Sequence, residues 1–88
     1  MSYFHKVVIE KGVYGELSKI REELDEAYDA LHQGQELMML IELSDIIGAV
    51  KGVAERYGMT LEQLTAFAIL RSEVAVRELQ DEQQNQNL

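Results

Sequence analysis

Between Leu37 and Val50 the chain reads Leu-Met-Met-Leu-Ile-Glu-Leu-Ser-Asp-Ile-Ile-Gly-Ala-Val, apolar almost throughout, with Glu42 and Asp45 set into it. A helix of that character is apolar on nearly all sides and has to be covered on all of them. Glu42 and Asp45 are three residues apart, so on a helix they share a face. Carboxylates are almost never fully buried unless they are paired or bound to a cation. The chain has 8 Lys and Arg against 16 Asp and Glu, so few cationic side chains are spare. Lys51 lies more than a turn from Asp45 and is poorly placed to neutralise the pair.

A second acidic phrase precedes it, Glu22-Glu23-Leu24-Asp25-Glu26. Leu17, Ile20, Leu24, Ala27, Tyr28 and Leu31 recur at helical intervals, which predicts a helix over residues 16–33 ended by Gly34. A second helix is expected over 36–57, stopped by Arg56 and Gly58. A third is expected to start at Thr60, with Gln63 closing a capping box and Leu61, Leu64, Phe67, Ala68, Leu70 and Val74 pointing inward. Residues 1–15 read as a short helix, an arm or a strand, broken by Gly12 and Gly15. Residues 1–80 are expected to form one helical domain, and 81–88 a polar, disordered tail. The fold class is therefore all-α, an antiparallel helical bundle. Two short helices cannot cover the second one, so the bundle is expected to be completed by homo-oligomerisation.

Composition excludes several classes. A net charge of −8 leaves no basic face for a DNA or RNA groove. The apolar stretch is interrupted by Glu42 and Asp45, which argues against a membrane span. With no Cys there is neither a disulfide nor a thiolate metal site. With no secretory leader pattern either, a cytoplasmic protein is expected.

Glu26 stands eight residues before Gly34 and Glu42 eight after it. In an antiparallel hairpin those offsets bring the two acidic phrases to one height. Four converging carboxylates repel one another, and hard divalent cations with oxygen ligands, Mg²⁺ or Mn²⁺, relieve that repulsion. Zinc prefers His and Cys, and a di-iron bundle site would want Glu-x-x-His pairs. His5 and His32 fall outside both phrases and read as surface or cap-region residues. Other residues carry plainer readings. Acids on the first helix, beside Lys19 and Arg21, fit a solvated charged face. Gly48 and Gly52 fit close packing, and Ser44 has no His–acid relay to make it a nucleophile.

The pattern Glu22-Glu23-x-x-Glu26, fifteen residues, then Glu42-x-x-Asp45 resembles the signature of MazG-like proteins, all-α nucleoside triphosphate pyrophosphohydrolases. The resemblance spans roughly residues 12–71 and includes Gly15-Glu16-Leu17-x-Lys19-Ile20. It implies helical bundles assembled as homodimers or homotetramers. It also implies Mg²⁺-dependent hydrolysis of a nucleoside triphosphate to the monophosphate and pyrophosphate. By position, Glu23, Glu26, Glu42 and Asp45 would be metal ligands, and Glu22 a further ligand or a water-orienting group. Many members place Lys, Asn and Arg on the third helix to hold phosphates. This chain has Arg71 there without the Lys or Asn, so Arg71 is the phosphate candidate, followed by Lys19 and Lys51. The competing expectation keeps the fold but not the turnover: a non-catalytic helical oligomer that binds a nucleotide or a protein.

Overall fold

A computed structural model of the chain describes residues 5–86. Three helices follow one another, α1 Leu17–His32, α2 Glu36–Arg56 and α3 Leu61–Gln86, and there is no strand among the described residues. The segment from His5 to Glu16 has no regular secondary structure and runs as an arm along α1. Residues 1–4 lie outside the described part, so only residues 5–15 of the expected arm, helix or strand can be compared, and there the arm holds.

Both interhelical turns are Schellman closures. Gly34 sits at φ +74°, its N–H donates to the Leu31 carbonyl, and the Gln35 N–H donates to that of Ala30. Gly58, at φ +86°, repeats the arrangement with Glu55 and with Met59 donating to Ala54. A side chain at either position would oppose the left-handed backbone. Thr60 and Gln63 form the expected capping box, with Gln63 N–H on Thr60 Oγ1 at 3.1 Å and Thr60 N–H on Gln63 Oε1 at 2.9 Å.

The short turn at Gly34 folds α1 and α2 into an antiparallel hairpin, which holds most of the helix packing. The faces that meet are made of small residues. Ala27 and Ala30 of α1 and Ala49, Gly52 and Ala54 of α2 are buried, and no large side chain is fully so. Small faces bring two backbones close, which is what sets the heights of longer side chains beside the seam.

The third helix departs from expectation. It continues through Gln86, so the residues read as a disordered tail are helical as far as they are described. Gln, Glu and Leu are good helix formers, and no Gly or Pro follows Gly58 to stop the helix. Its backbone meets α2 near their shared turn and does not approach α1. Leu61 and Leu64 are half-buried, while the other expected inward positions, Phe67, Ala68, Leu70 and Val74, are exposed. The apolar faces of α1 and α2 are also open: Leu24, Tyr28, Leu31, Met39 and Leu43 line one apolar groove with Ala27.

Global dimensions agree. The Cα radius of gyration is 17.6 Å, against about 12 Å for a compact domain of this length. The accessible surface is 7131 Å², against about 5,200 Å² for a folded monomer of this mass. No helix among the described residues is long and apolar enough to cross a membrane.

The arm is fixed at a second small residue. A Cβ on Gly12 would overlap the Ser18 carbonyl and the Lys19 backbone nitrogen, and neither can move without unwinding the first turn of α1. Gly12→Ala should therefore cost about 1–3 kcal/mol in chemical denaturation. A change below about 0.5 kcal/mol would show that the arm does not pack as described.

Candidate metal centre

The hairpin converts the equal sequence offsets into proximity. Glu23 and Asp45 each stand eleven residues from Gly34, and Glu26 and Glu42 each stand eight. Carboxylate oxygens of Glu23, Glu42 and Asp45 all lie within 4.8 Å of one another, and so do those of Glu22, Glu23 and Glu26. The four expected ligands therefore converge on one place between the two helices.

Glu42 is only 6 % exposed and Glu23 7 %. Each keeps one buried oxygen, Oε2, without a hydrogen-bond partner among the described residues. Buried carboxylate oxygens without donors are costly. A cation supplies what the surrounding side chains do not. The donor set is all oxygen, which suits Mg²⁺ or Mn²⁺, so the residues present fit such a group.

Without a cation, protons take over part of that work. Burial, proton sharing with Glu23 and Glu42, and the charges of those neighbours push the Glu26 carboxyl up to about 8. Glu42 is also raised, by burial and by the charges of Asp45 and Glu23, although its hydrogen bond with Glu26 works the other way. The cluster thus favours one retained proton at neutral pH, as close carboxylates must when they cannot all ionise.

Glu22 occupies a different niche. The acids of α1 read as a solvated charged face, yet Glu22 is the most buried acid, at 3 % exposure. Its Oε1 accepts the Gly12 N–H at 2.7 Å, and its Oε2 faces Lys19 Nζ at 3.1 Å and Lys11 Nζ at 3.7 Å. The Gly12 N–H, outweighing burial with help from the lysines, holds Glu22 below the usual carboxylate range. Glu22 is therefore committed to the arm and to Lys19.

Lys19 also reaches Glu23 Oε1 at 3.2 Å, and its two carboxylate partners raise its own pKa. Of the phosphate candidates, Lys19 is thus already engaged, and Lys51 pairs with Glu55 at 3.5 Å. Arg71 sits with Phe67, Leu70, Val74 and Glu78 along α3, in a shallow groove to which neither α1 nor α2 contributes. Of the glycine strip, Gly52 packs against the Tyr14 ring, and nothing approaches Gly48.

Two residues near the cluster are not legible from the acidic phrases. Asp29, buried on α1 one turn beyond Glu26, accepts the Lys6 N–H, Gln33 Nε2 and His5 Nδ1. Burial alone would raise it, but these donors hold it below the usual range. His5, carried by the arm, has Nε2 3.8 Å from Glu26 Oε1. Asp29 carries a faint signal, since Glu22, Glu26 and Asp29 follow a four–three helical spacing. His5 carries none, because nothing in the sequence says where the arm goes.

Comparison of the chain with known protein families, with curated proteins and with solved structures finds no match.

The proton on Glu26 has a thermodynamic signature. Its folded pKa of about 8 exceeds the ordinary value of 4.5, so the stability it contributes is complete below 4.5 and is lost as pH rises through about 8. Glu22 and Asp29 are depressed, so their contribution is present above their ordinary values and is lost only in acid. In chelator-treated protein Tm should fall as pH rises from about 5 to about 8.5, and Glu26→Gln, neutral throughout, should flatten that fall. An unchanged slope in the variant would place the proton elsewhere.

Proposed function

We propose that the chain is a divalent-cation-dependent nucleoside triphosphate pyrophosphohydrolase of the MazG-like, all-α kind, acting as a homo-oligomer. The reaction would convert an NTP or dNTP and water to the monophosphate and pyrophosphate. The observation that carries this reading is the pair Glu23 and Glu42. They come from facing helices, are more than nine-tenths buried, and each keeps a partnerless buried oxygen beside Glu26 and Asp45. Carboxylates sequestered in this way serve a cation better than they serve stability.

Glu23, Glu26, Glu42 and Asp45 would hold the cation. When bound, Mg²⁺ or Mn²⁺ supplies charge neutralisation at phosphate oxygens and acidity to water. The remaining roles belong to the chain. Lys19, bridging Glu22 and Glu23, fixes the Glu23 side chain. Glu22, tied to Gly12, keeps the first turns of α1 in register with the arm and acts by positioning. Asp45 is the exposed member of the set and is the one a triphosphate in solution would meet first. Glu26 gives up its shared proton as the charge of the cluster is met.

Assembly is motivated by the uncovered apolar faces. Burying the groove of Leu24, Tyr28, Leu31, Met39 and Leu43 against a second copy would remove apolar surface from water at about 25 cal/mol per Å². It would also offer α3, and Arg71 with it, a surface to pack on. One observation favours the non-catalytic alternative. Lys19 and Lys51 are held by acids, and Arg71 lies on a helix whose backbone does not approach that of α1. A binding module would need no more phosphate-holding groups than this.

Pyrophosphate release from a panel of NTPs and dNTPs with Mg²⁺ or Mn²⁺ decides between the two. Turnover is expected, and Glu42→Gln should lower it on the order of 100-fold or more. Activity that survives this change would place the chemistry elsewhere, and nucleotide binding without turnover would establish the binding module. Light scattering should give a multiple of the 10.0 kDa chain mass, and Leu43→Glu should shift it toward one chain. A wild-type mass of a single chain would refute the assembly.

A further inference from the structure

The N-terminal arm has no role in the four-carboxylate scheme, yet its backbone is fastened to buried carboxylates of α1. Gly12 N–H binds Glu22, and Lys6 N–H binds Asp29 at 3.1 Å. His5 is carried on this tethered arm, beside Lys6. Its Nδ1 is 2.9 Å from Asp29 Oδ2. An ionised carboxylate only accepts, so Nδ1–H donates to Asp29, and Nε2 is the ring nitrogen that a metal would take.

That Nε2 points to the cluster. It lies 3.8 Å from Glu26 Oε1, too long for a hydrogen bond. With metal–ligand bonds of about 2.1 Å, two atoms on one ion stand about 3.0 Å apart when adjacent and about 4.2 Å when opposite. The observed separation falls inside that range. His5, Glu26 and Glu42 each offer an atom within 4.8 Å of the others. The third member, Glu42, is the acid that keeps a buried Oε2 with no donor. The second contact of His5 follows the usual outer arrangement of a metal-bound histidine, whose other ring N–H is held by a carboxylate that is itself hydrogen-bonded. Asp29 is such a carboxylate, held in turn by Lys6 N–H and Gln33.

We infer that the arm completes a mixed imidazole–carboxylate position, His5 Nε2 with Glu26 and Glu42, that binds a first-row transition-metal dication in preference to Mg²⁺. This rests on the reading of the acidic cluster as a cation site. Mg²⁺ gains little from an imidazole and keeps its waters, whereas transition-metal dications accept nitrogen readily. Glu26 belongs to both the nitrogen-containing triad and the carboxylate cluster, so the arm couples to the centre through one shared ligand. Asp29 is a positioning residue that sets the ring's tautomer and direction.

Electron spin-echo measurements on the full chain loaded with Mn²⁺ test this directly. Nitrogen-14 modulation is expected, replaced by the nitrogen-15 pattern when the protein carries labelled histidine. The chain has two histidines, so His32→Gln should retain the signal and His5→Gln should abolish it. In calorimetry His5→Gln should weaken Mn²⁺ binding on the order of 10-fold or more and leave Mg²⁺ binding within about 3-fold, with helicity unchanged by circular dichroism. Because the spin-echo result on wild-type protein needs no variant, it stands even if His5→Gln misfolds. Mn²⁺ bound in a Glu42-dependent manner without nitrogen coupling would overturn the His5 ligand, reduce His5 to a tether for the arm, and leave the carboxylate site intact. Failure of Mn²⁺ to bind at all would overturn both.

Discussion

Everything in this molecule depends on the close seam between α1 and α2. Ala27 and Ala30 on α1, and Ala49, Gly52 and Ala54 on α2, are the apolar and glycine positions buried in the hairpin, and all are small. Small residues at the buried positions make no apolar core in the ordinary sense. They leave the longer side chains that flank them, Glu23, Glu26 and Glu42, facing one another. The burial of these carboxylates follows from the smallness of their neighbours. Larger residues at the alanine positions would push the helices apart and return the acids to water.

That seam also explains why the same chain looks both well ordered and incomplete. The three helices are joined by two Schellman turns and a capping box, local devices that need nothing from outside. Apolar coverage is another matter. Leu37, Leu40, Ile41, Leu43 and Ile47 of α2 remain exposed, and α3 leaves the hairpin after its first turns. The secondary structure is thus satisfied within one copy, while the hydrophobic term that stabilises most domains is largely unspent. A chain built in this way gains most of its stability from whatever meets those faces.

The arm adds a second layer of organisation. Its backbone amides, at Lys6 and Gly12, are held by two buried carboxylates of α1, Asp29 and Glu22, that are not among the four expected ligands. The acids of α1 thus divide by the donors they meet. Glu22 and Asp29 satisfy the arm and are held ionised by its donors, while Glu26, lacking such donors, retains a proton. The same residue type takes opposite protonation behaviour on one helix because the availability of N–H groups differs within a single turn.

Much of this could be read from the residues in order. The helix limits followed from Gly34, Gly58 and Thr60, because caps and left-handed glycines act over three or four residues. The meeting of Glu23, Glu26, Glu42 and Asp45 followed from equal offsets about Gly34, since an antiparallel hairpin preserves height. What the order of residues left open depended on contacts distant along the chain. It could not show that Glu22 turns to Gly12, that Asp29 holds His5, or that the arm ends beside Glu26, because an irregular segment carries no periodicity from which to place its side chains. Nor could it show that Phe67, Leu70 and Val74, spaced as an inward face, stay uncovered in one copy. Periodicity states which face is apolar, and only the tertiary arrangement decides what lies against it.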